Sequence, residues 1–250
     1  ISTSQISSEQ ISQLELLGAQ VTCRENCGYD FYSWKVGIEK VNLHEFDELL
    51  LANDSCYAPL YDFEELFLKM DNLKCDFWGI TKSYRYAKHI QSYFVCYRKS
   101  VIESGVFQEF WGALVPIENK IKLVRRYEVG LSQALFRNGF TMRHYFGLTP
   151  IKYLLMLPRN LLLKCKVAPN LNPYKFIRNL FVSNPTFYYY REMLAQRVPL
   201  IKTGLIKDNK FQLPPINLLS IEGINTNTVE CLRNHQNRIN MCSHIDSWAP

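Results

Sequence analysis

Short apolar runs of strand length alternate with helix-length amphipathic segments through the first half of the chain, and this rhythm narrows the choice of fold more than any other feature. Residues 6 to 18 (ISSEQISQLELLG) read as a helix: Ser7 or Ser8 suits its cap, Ile11, Leu14 and Leu17 share a face, and Gly18 closes it. A strand is predicted over 19 to 23. Gly28 then breaks the run before a helix with Phe31, Trp34 and Ile38 on one side. Strands follow at 47 to 52, 75 to 80 (CDFWGI), 91 to 97 (QSYFVCY) and in TMRHYF. The intervening helices are 62 to 70, 99 to 112 and RRYEVGLSQALFRNGF, which ends at Gly139. Such alternation predicts an α/β sheet flanked by helices.

After about residue 148 the rhythm fails. TPIKYLLMLPRNLLLKCK is apolar and basic, and Pro150 and Pro158 are expected to break it. Pro169, Pro173 and Pro185 keep the next stretch from forming one long helix. Residues 1–147 are therefore expected to form the core and 148–250 a mostly helical appendage, with a last helix at 227 to 240. The chain shows no internal repeat and no low-complexity segment.

A hydrophobic fraction of 47% over 250 residues supports a well-buried interior. No apolar stretch reaches the roughly eighteen residues that a membrane-spanning helix needs, and no secretory signal opens the sequence. Ile1 in place of methionine suggests an excerpt of a longer protein. The eight cysteines are scattered without zinc-ligand spacing and are expected to be thiols of a reducing compartment. The formal charge of +6 is concentrated: between Glu128 and Glu192 there is no acidic residue, while Arg137, Arg143, Lys152, Arg159, Lys164, Lys166, Lys175, Arg178 and Arg191 fall there. A one-sided basic stretch attracts phosphates. Nucleic acid is disfavoured as the partner, because the stretch has few interleaved stacking residues and no nucleic-acid-binding motif.

Three carboxylates could carry chemistry. Asp54 follows the strand at 47 to 52, and open α/β sheets bind ligands at the carboxyl ends of their strands. A carboxylate there could hold Mg²⁺ or Mn²⁺ against a diphosphate. In its bland reading, Asn53-Asp54-Ser55 is a turn. Asp30, in ENCGYD, is a second acid after a strand, and Gly28 beside it would let backbone approach a ligand closely. Otherwise Asp30 caps the helix that follows. Glu128, taken as lying at the start of its helix, is either a first-turn acid favoured by the helix dipole or a general base for an acceptor hydroxyl.

The order N-x-G-Y-D, strand-NDS, DFWGIT, HIQSYF and YEVGLS resembles the rhamnan synthesis protein F family of bacterial glycosyltransferases. The similarity runs from about Ser2 to Gly139 and resumes at NPTFYYYREMLAQRVPLIK, ending in Pro199 to Lys202. The resemblance implies a GT-A-like mixed sheet flanked by helices, here lacking the first β-α-β unit. The implied activity is transfer of a sugar from a nucleotide-diphospho-sugar, such as dTDP-rhamnose, to a cell-surface polysaccharide. By the same resemblance Asp54 takes the metal and diphosphate position. Asn26, Gly28, Asp30, Asn53, Ser55 and Lys202 fall in donor-binding segments. Glu128 takes the place of the catalytic base, although Val129 replaces the second acid of the usual pair. Trp78, His89, Gln91 and Tyr93 would line the acceptor side, where rings can stack on a sugar and polar groups bond its hydroxyls. The alternation of Phe77, Trp78, Tyr93 and Phe94 requires one of each pair to point inward; Phe77 and Phe94 are expected to pack in the core, and Trp78 and His89 to face the site. An inverting displacement needs a base for the hydroxyl and a cation for the departing diphosphate. Arg143, His144 and Lys202 are candidates for the cation.

The expected partners are the nucleotide-sugar donor and an oligosaccharide or lipid-linked glycan acceptor. The expected location is cytoplasmic, with IKYLLMLPRNLLLKCK lying on the inner face of the bacterial plasma membrane. A different class stays open: a non-catalytic glycan-binding or scaffolding protein of a polysaccharide assembly complex.

Overall fold

In the computed structural model, which describes residues 1–167, 184–207, 218 and 221–234, the strand Phe94–Arg98 is one of the two inner strands of a four-stranded sheet. The strand order is Glu48–Ala52, Phe94–Arg98, Phe77–Gly79, Met142–His144. Phe94–Arg98 pairs antiparallel with Glu48–Ala52, Leu50 facing Cys96. It pairs antiparallel with Phe77–Gly79 on its other side, Trp78 facing Cys96. Phe94, Val95, Cys96 and Tyr97 are all buried, so both faces of this strand are covered. The mixed α/β architecture agrees with the expectation from the alternating pattern.

The chain divides into two units that interleave along the sequence. The first comprises Ile1–Ala52, Cys75–Gly79 and Tyr86–Arg143. The second comprises Asn53–Lys74, Ile80–Arg85 and His144–Pro250. Residues 53–74 and 80–85 thus group with the later part of the chain.

In the first unit one face of the sheet is filled by rings. Phe77 stacks on Tyr97 at 6.1 Å, Tyr97 meets Phe107 at 5.2 Å, and Phe31 lies between Trp111 at 6.0 Å and Tyr127 at 5.7 Å. Phe31 comes from the helix Tyr29–Ile38, whose Trp34 and Ile38 pack on the same cluster, as their spacing predicts. Three expectations need correcting. The strand at 19 to 23 is only a bridge between Ser2 and Cys23. The helix at 99 to 112 is two, Lys99–Ile102 and Gly105–Gly112, because Ser104 caps the second by accepting from the Phe107 amide at 3.3 Å. The helix bearing Glu128 begins at Lys120 behind the cap Asn119, eight residues before Glu128 and five before the expected start at Arg125. It passes through a π turn, Val124–Glu128, and continues as Val129–Arg137. Glu128 is therefore internal to a helical run, and the dipole of a helix start does not account for it.

In the second unit, Asp62 caps the helix Phe63–Asp71 by accepting from the Glu64 amide at 2.9 Å. Cys56–Tyr57 pairs antiparallel with Ile201–Lys202 above a core of Leu60, Tyr61, Tyr190, Leu194, Ile201 and Leu232. Pro150–Val167 is one helix rather than a broken pair. Pro150 sits at its first position, where no amide bond is lost, and Pro158 is exposed, so the Leu154 carbonyl it leaves unpaired can meet water. The last described helix covers 226–234; the rest of the predicted span to 240 lies outside the described residues.

Gly79 is packed too tightly for a side chain. A Cβ there would lie 2.4 Å from Ile90 Cγ2 and 2.8 Å from the Phe94 carbonyl oxygen. Gly79→Ala should cost about 1–3 kcal/mol of unfolding free energy, as overpacking does, measured by urea denaturation.

Candidate functional site

Glu128 and His89, 39 positions apart, meet in the first unit. Glu128 Oε1 lies 3.2 Å from His89 Nε2, with the side chains 15% and 2% exposed. Glu128 Oε2 accepts from the Ser92 amide at 2.9 Å and from the Ser92 hydroxyl. His89 Nδ1 lies 2.8 Å from the Ala87 carbonyl oxygen. Both ring nitrogens thus face acceptors, and an imidazole protonated on both would donate to each. Two further bonds fasten the segment to the same helix: the Ile90 amide donates to Ser132 Oγ at 3.3 Å and Gln133 Nε2 to the Lys88 carbonyl at 2.7 Å. Burial alone would push the Glu128 carboxyl up. The hydrogen bonds from His89 and Ser92, with the attraction of the imidazole, outweigh it and hold the group below the ordinary 4.5. Burial, reinforced by this carboxylate, drives the Tyr97 hydroxyl well above the usual tyrosine range.

Two of the other acceptor-side candidates in this unit, Trp78 and Tyr93, are core residues. Trp78 is wholly buried against Phe94, their centroids 6.2 Å apart, and Tyr93 is buried too. Gln91 is half-buried. Gly28, proposed for close approach to a ligand, is instead approached by the protein itself. Its amide donates to Glu118 Oε1 at 2.9 Å, and a Cβ would lie 2.9 Å from Pro116 Cα. Its φ of 65° is the left-handed value that glycine tolerates, and it leads into the helix Tyr29–Ile38. Asn26 and Asp30 are exposed beside it, Asp30 in the helix's first turn.

The second unit assembles the remaining donor candidates. Asn53-Asp54-Ser55 is a turn: Asn53 Oδ1 accepts from the Ser55 amide at 3.2 Å and from the Ser55 hydroxyl. The pairing of Cys56 with Lys202 brings Lys202 Nζ onto Ser55 Oγ, to which it donates. The Ser55 carbonyl accepts from the Thr203 amide at 2.9 Å and the Thr203 hydroxyl at 3.1 Å. The Asp54 carboxylate points to solvent and has no hydrogen bond or ion pair among the described residues. Asn53, Asp54, Ser55 and Lys202 are thus brought together. Arg143 is exposed and His144 half-buried at the end of a sheet strand.

No group of three or more histidine, cysteine or acidic side chains suited to a metal occurs among the described residues. A lone exposed carboxylate still suits Mg²⁺, which commonly takes one or two carboxylates and completes its shell with substrate phosphates and water. The turn therefore fits an ion that brings most of its ligands with it.

Reasoning from sequence alone missed Ser92, Glu118 and Thr203. Ser92 lies in HIQSYF, three residues after the candidate His89, and a hydroxyl that close to a candidate site residue was a usable signal. Glu118 and Thr203 carried none.

Residues 1–155 match the family described as rhamnan synthesis protein F. That match spans most of the chain, and the protein belongs to this family. Among curated proteins it is similar to the virulence protein VirA of Vibrio anguillarum, 27% identical over 202 residues, covering 77% of this chain and 64% of VirA. It is also similar to the uncharacterized protein y4gN of Sinorhizobium fredii, 27% identical over 124 residues, covering 47% of this chain and 32% of that protein. The chain thus spans less than two thirds of the length of the curated relatives it matches. No solved structure matches.

Glu128→Gln should lower unfolding free energy by about 1–3 kcal/mol near neutral pH, the worth of hydrogen bonds to a charged group. A depressed carboxyl contributes its stability above its unfolded value. The gap between wild type and variant should therefore be full above pH 4.5 and close as pH falls through the lower folded value. Denaturation curves at several pH values measure it.

Proposed function

We propose that this protein is a glycosyltransferase of bacterial surface-polysaccharide synthesis, binding the diphosphate of a nucleotide-sugar at the Asn53-Asp54-Ser55 turn and Lys202. One observation carries this reading: Lys202 Nζ reaches Ser55 Oγ across 147 positions of sequence, beside an exposed carboxylate committed to no described partner. A positive charge next to a carboxylate open to a divalent ion is the charge arrangement a departing diphosphate needs. Asp54 would hold Mg²⁺ or Mn²⁺, and the ion, when bound, would neutralise phosphate charge. Lys202 would donate a hydrogen bond to a phosphate oxygen in place of Ser55 Oγ. Membership of the rhamnan synthesis protein F family supports the choice of pathway, with rhamnose as the sugar.

The Glu128 cluster favours a second reading. A base should be free to take a proton and have an affinity near the working pH. Glu128 already accepts bonds from His89 and Ser92, and these hold its proton affinity low. The chain would then bind glycan or nucleotide without catalysing transfer, and Glu128 would position the 89–92 segment.

Melting temperature with dTDP or UDP, with and without Mn²⁺, tests the donor site. The expected result is a manganese-dependent rise that Asp54→Ala abolishes and Lys202→Ala reduces. Release of nucleoside diphosphate from dTDP-rhamnose then separates the two readings. Turnover that falls roughly 10²-fold in Lys202→Ala supports the enzyme, while ligand binding without turnover supports the binding protein. No binding of any nucleotide removes the donor-site assignment.

A further inference from the structure

Among the described residues, the helix Pro150–Val167 is held by contacts on one side. Asn160 is fully buried and its Nδ2 donates to the Tyr189 hydroxyl at 2.9 Å. Tyr153 meets the Tyr189 ring at 6.1 Å. Arg159 donates to Glu192 at 2.9 Å and to the Tyr188 carbonyl at 2.8 Å. On the opposite side, Ile151, Leu154, Leu155 and Leu162 are 71%, 61%, 75% and 66% exposed, and Pro158 is exposed among them. With successive residues about 100° apart, these five positions fall within about 100° of arc and about 17 Å of length. Soluble surfaces scatter large aliphatic residues singly; a continuous stripe marks an interaction face.

We propose that this stripe lies in the interfacial layer of an anionic lipid bilayer, with Ile151, Leu154, Leu155 and Leu162 immersed and Lys152 at the phosphates. Three observations select lipid as the occupant. The stripe belongs to a 63-residue interval, 129–191, that contains no acidic residue, so anionic headgroups meet no carboxylate from it. Lys152 is exposed at the stripe's border. The helix is one-sided, and among the described residues no helix is long and apolar enough to cross a membrane, so it would lie flat. A surface-bound enzyme or binding protein would meet lipid-linked glycans there, but the proposal stands on the helix alone.

Flotation of the whole chain with vesicles tests it, using phosphatidylcholine alone and phosphatidylcholine with about one-third phosphatidylglycerol. The expected result is flotation with the mixed vesicles that weakens between roughly 0.1 M and 0.5 M salt. Leu154→Ser combined with Leu155→Ser should cut the bound fraction on the order of tenfold without altering the melting temperature, and Lys152→Glu about fivefold. Leu155→Trp should add an indole whose fluorescence brominated lipid quenches beyond the wild-type level. Failure to float, flotation that the double variant leaves unchanged, or no added quenching would each overturn the proposal. So would concentration-dependent self-association, without vesicle binding, that the double variant abolishes.

Discussion

The strand Phe94–Arg98 is the constraint on which the first unit depends. It is hydrogen-bonded on both edges and buried on both faces, and such a strand has nowhere to shift. Its position dictates that of the segment just before it. Ile90 is pressed against Gly79, which has no Cβ to refuse it, and His89 and Ser92 are delivered to Glu128. The π turn places Glu128 inside the helical run, at the seam where π geometry returns to α, and such irregular turns recur at functional positions.

Two carboxylates that look alike in sequence end in opposite circumstances. Glu128 is enclosed and satisfied, with both oxygens accepting hydrogen bonds. Asp54 is open to water and to any cation that comes with a ligand. A buried carboxylate without partners would be costly, and the three donors around Glu128 remove that cost while lowering its basicity. An exposed carboxylate loses nothing by waiting for a ligand. Chemistry that needs an available acid therefore points to the turn at Asn53-Asp54-Ser55, and structural order points to Glu128.

The basic, acid-free interval has at least two physical roles. Arg159 is spent internally on Glu192 and the Tyr188 carbonyl, fixing one side of the long helix. Lys152 remains in solvent beside the aliphatic stripe. Net charge alone does not distinguish a cation that anchors a helix from one that meets a partner; the hydrogen-bond partners do.

Periodicity and cap residues determined much of the local structure. Ser7 and the Phe31, Trp34, Ile38 face appear as their spacing predicts, since caps and amphipathic faces are satisfied within a few residues. The family was legible in motifs such as HIQSYF and ANDS. What the motifs could not show was orientation. Trp78 and Tyr93 were ambiguous because the strands around them are covered on both faces, where alternation carries no inside or outside. The π turn at Val124–Glu128, the approach of Glu118 to Gly28, and the reach of Lys202 to Ser55 were decided only by tertiary structure. Each depends on atoms 90 or more positions apart or on a register irregularity within one helix, and local sequence encodes neither.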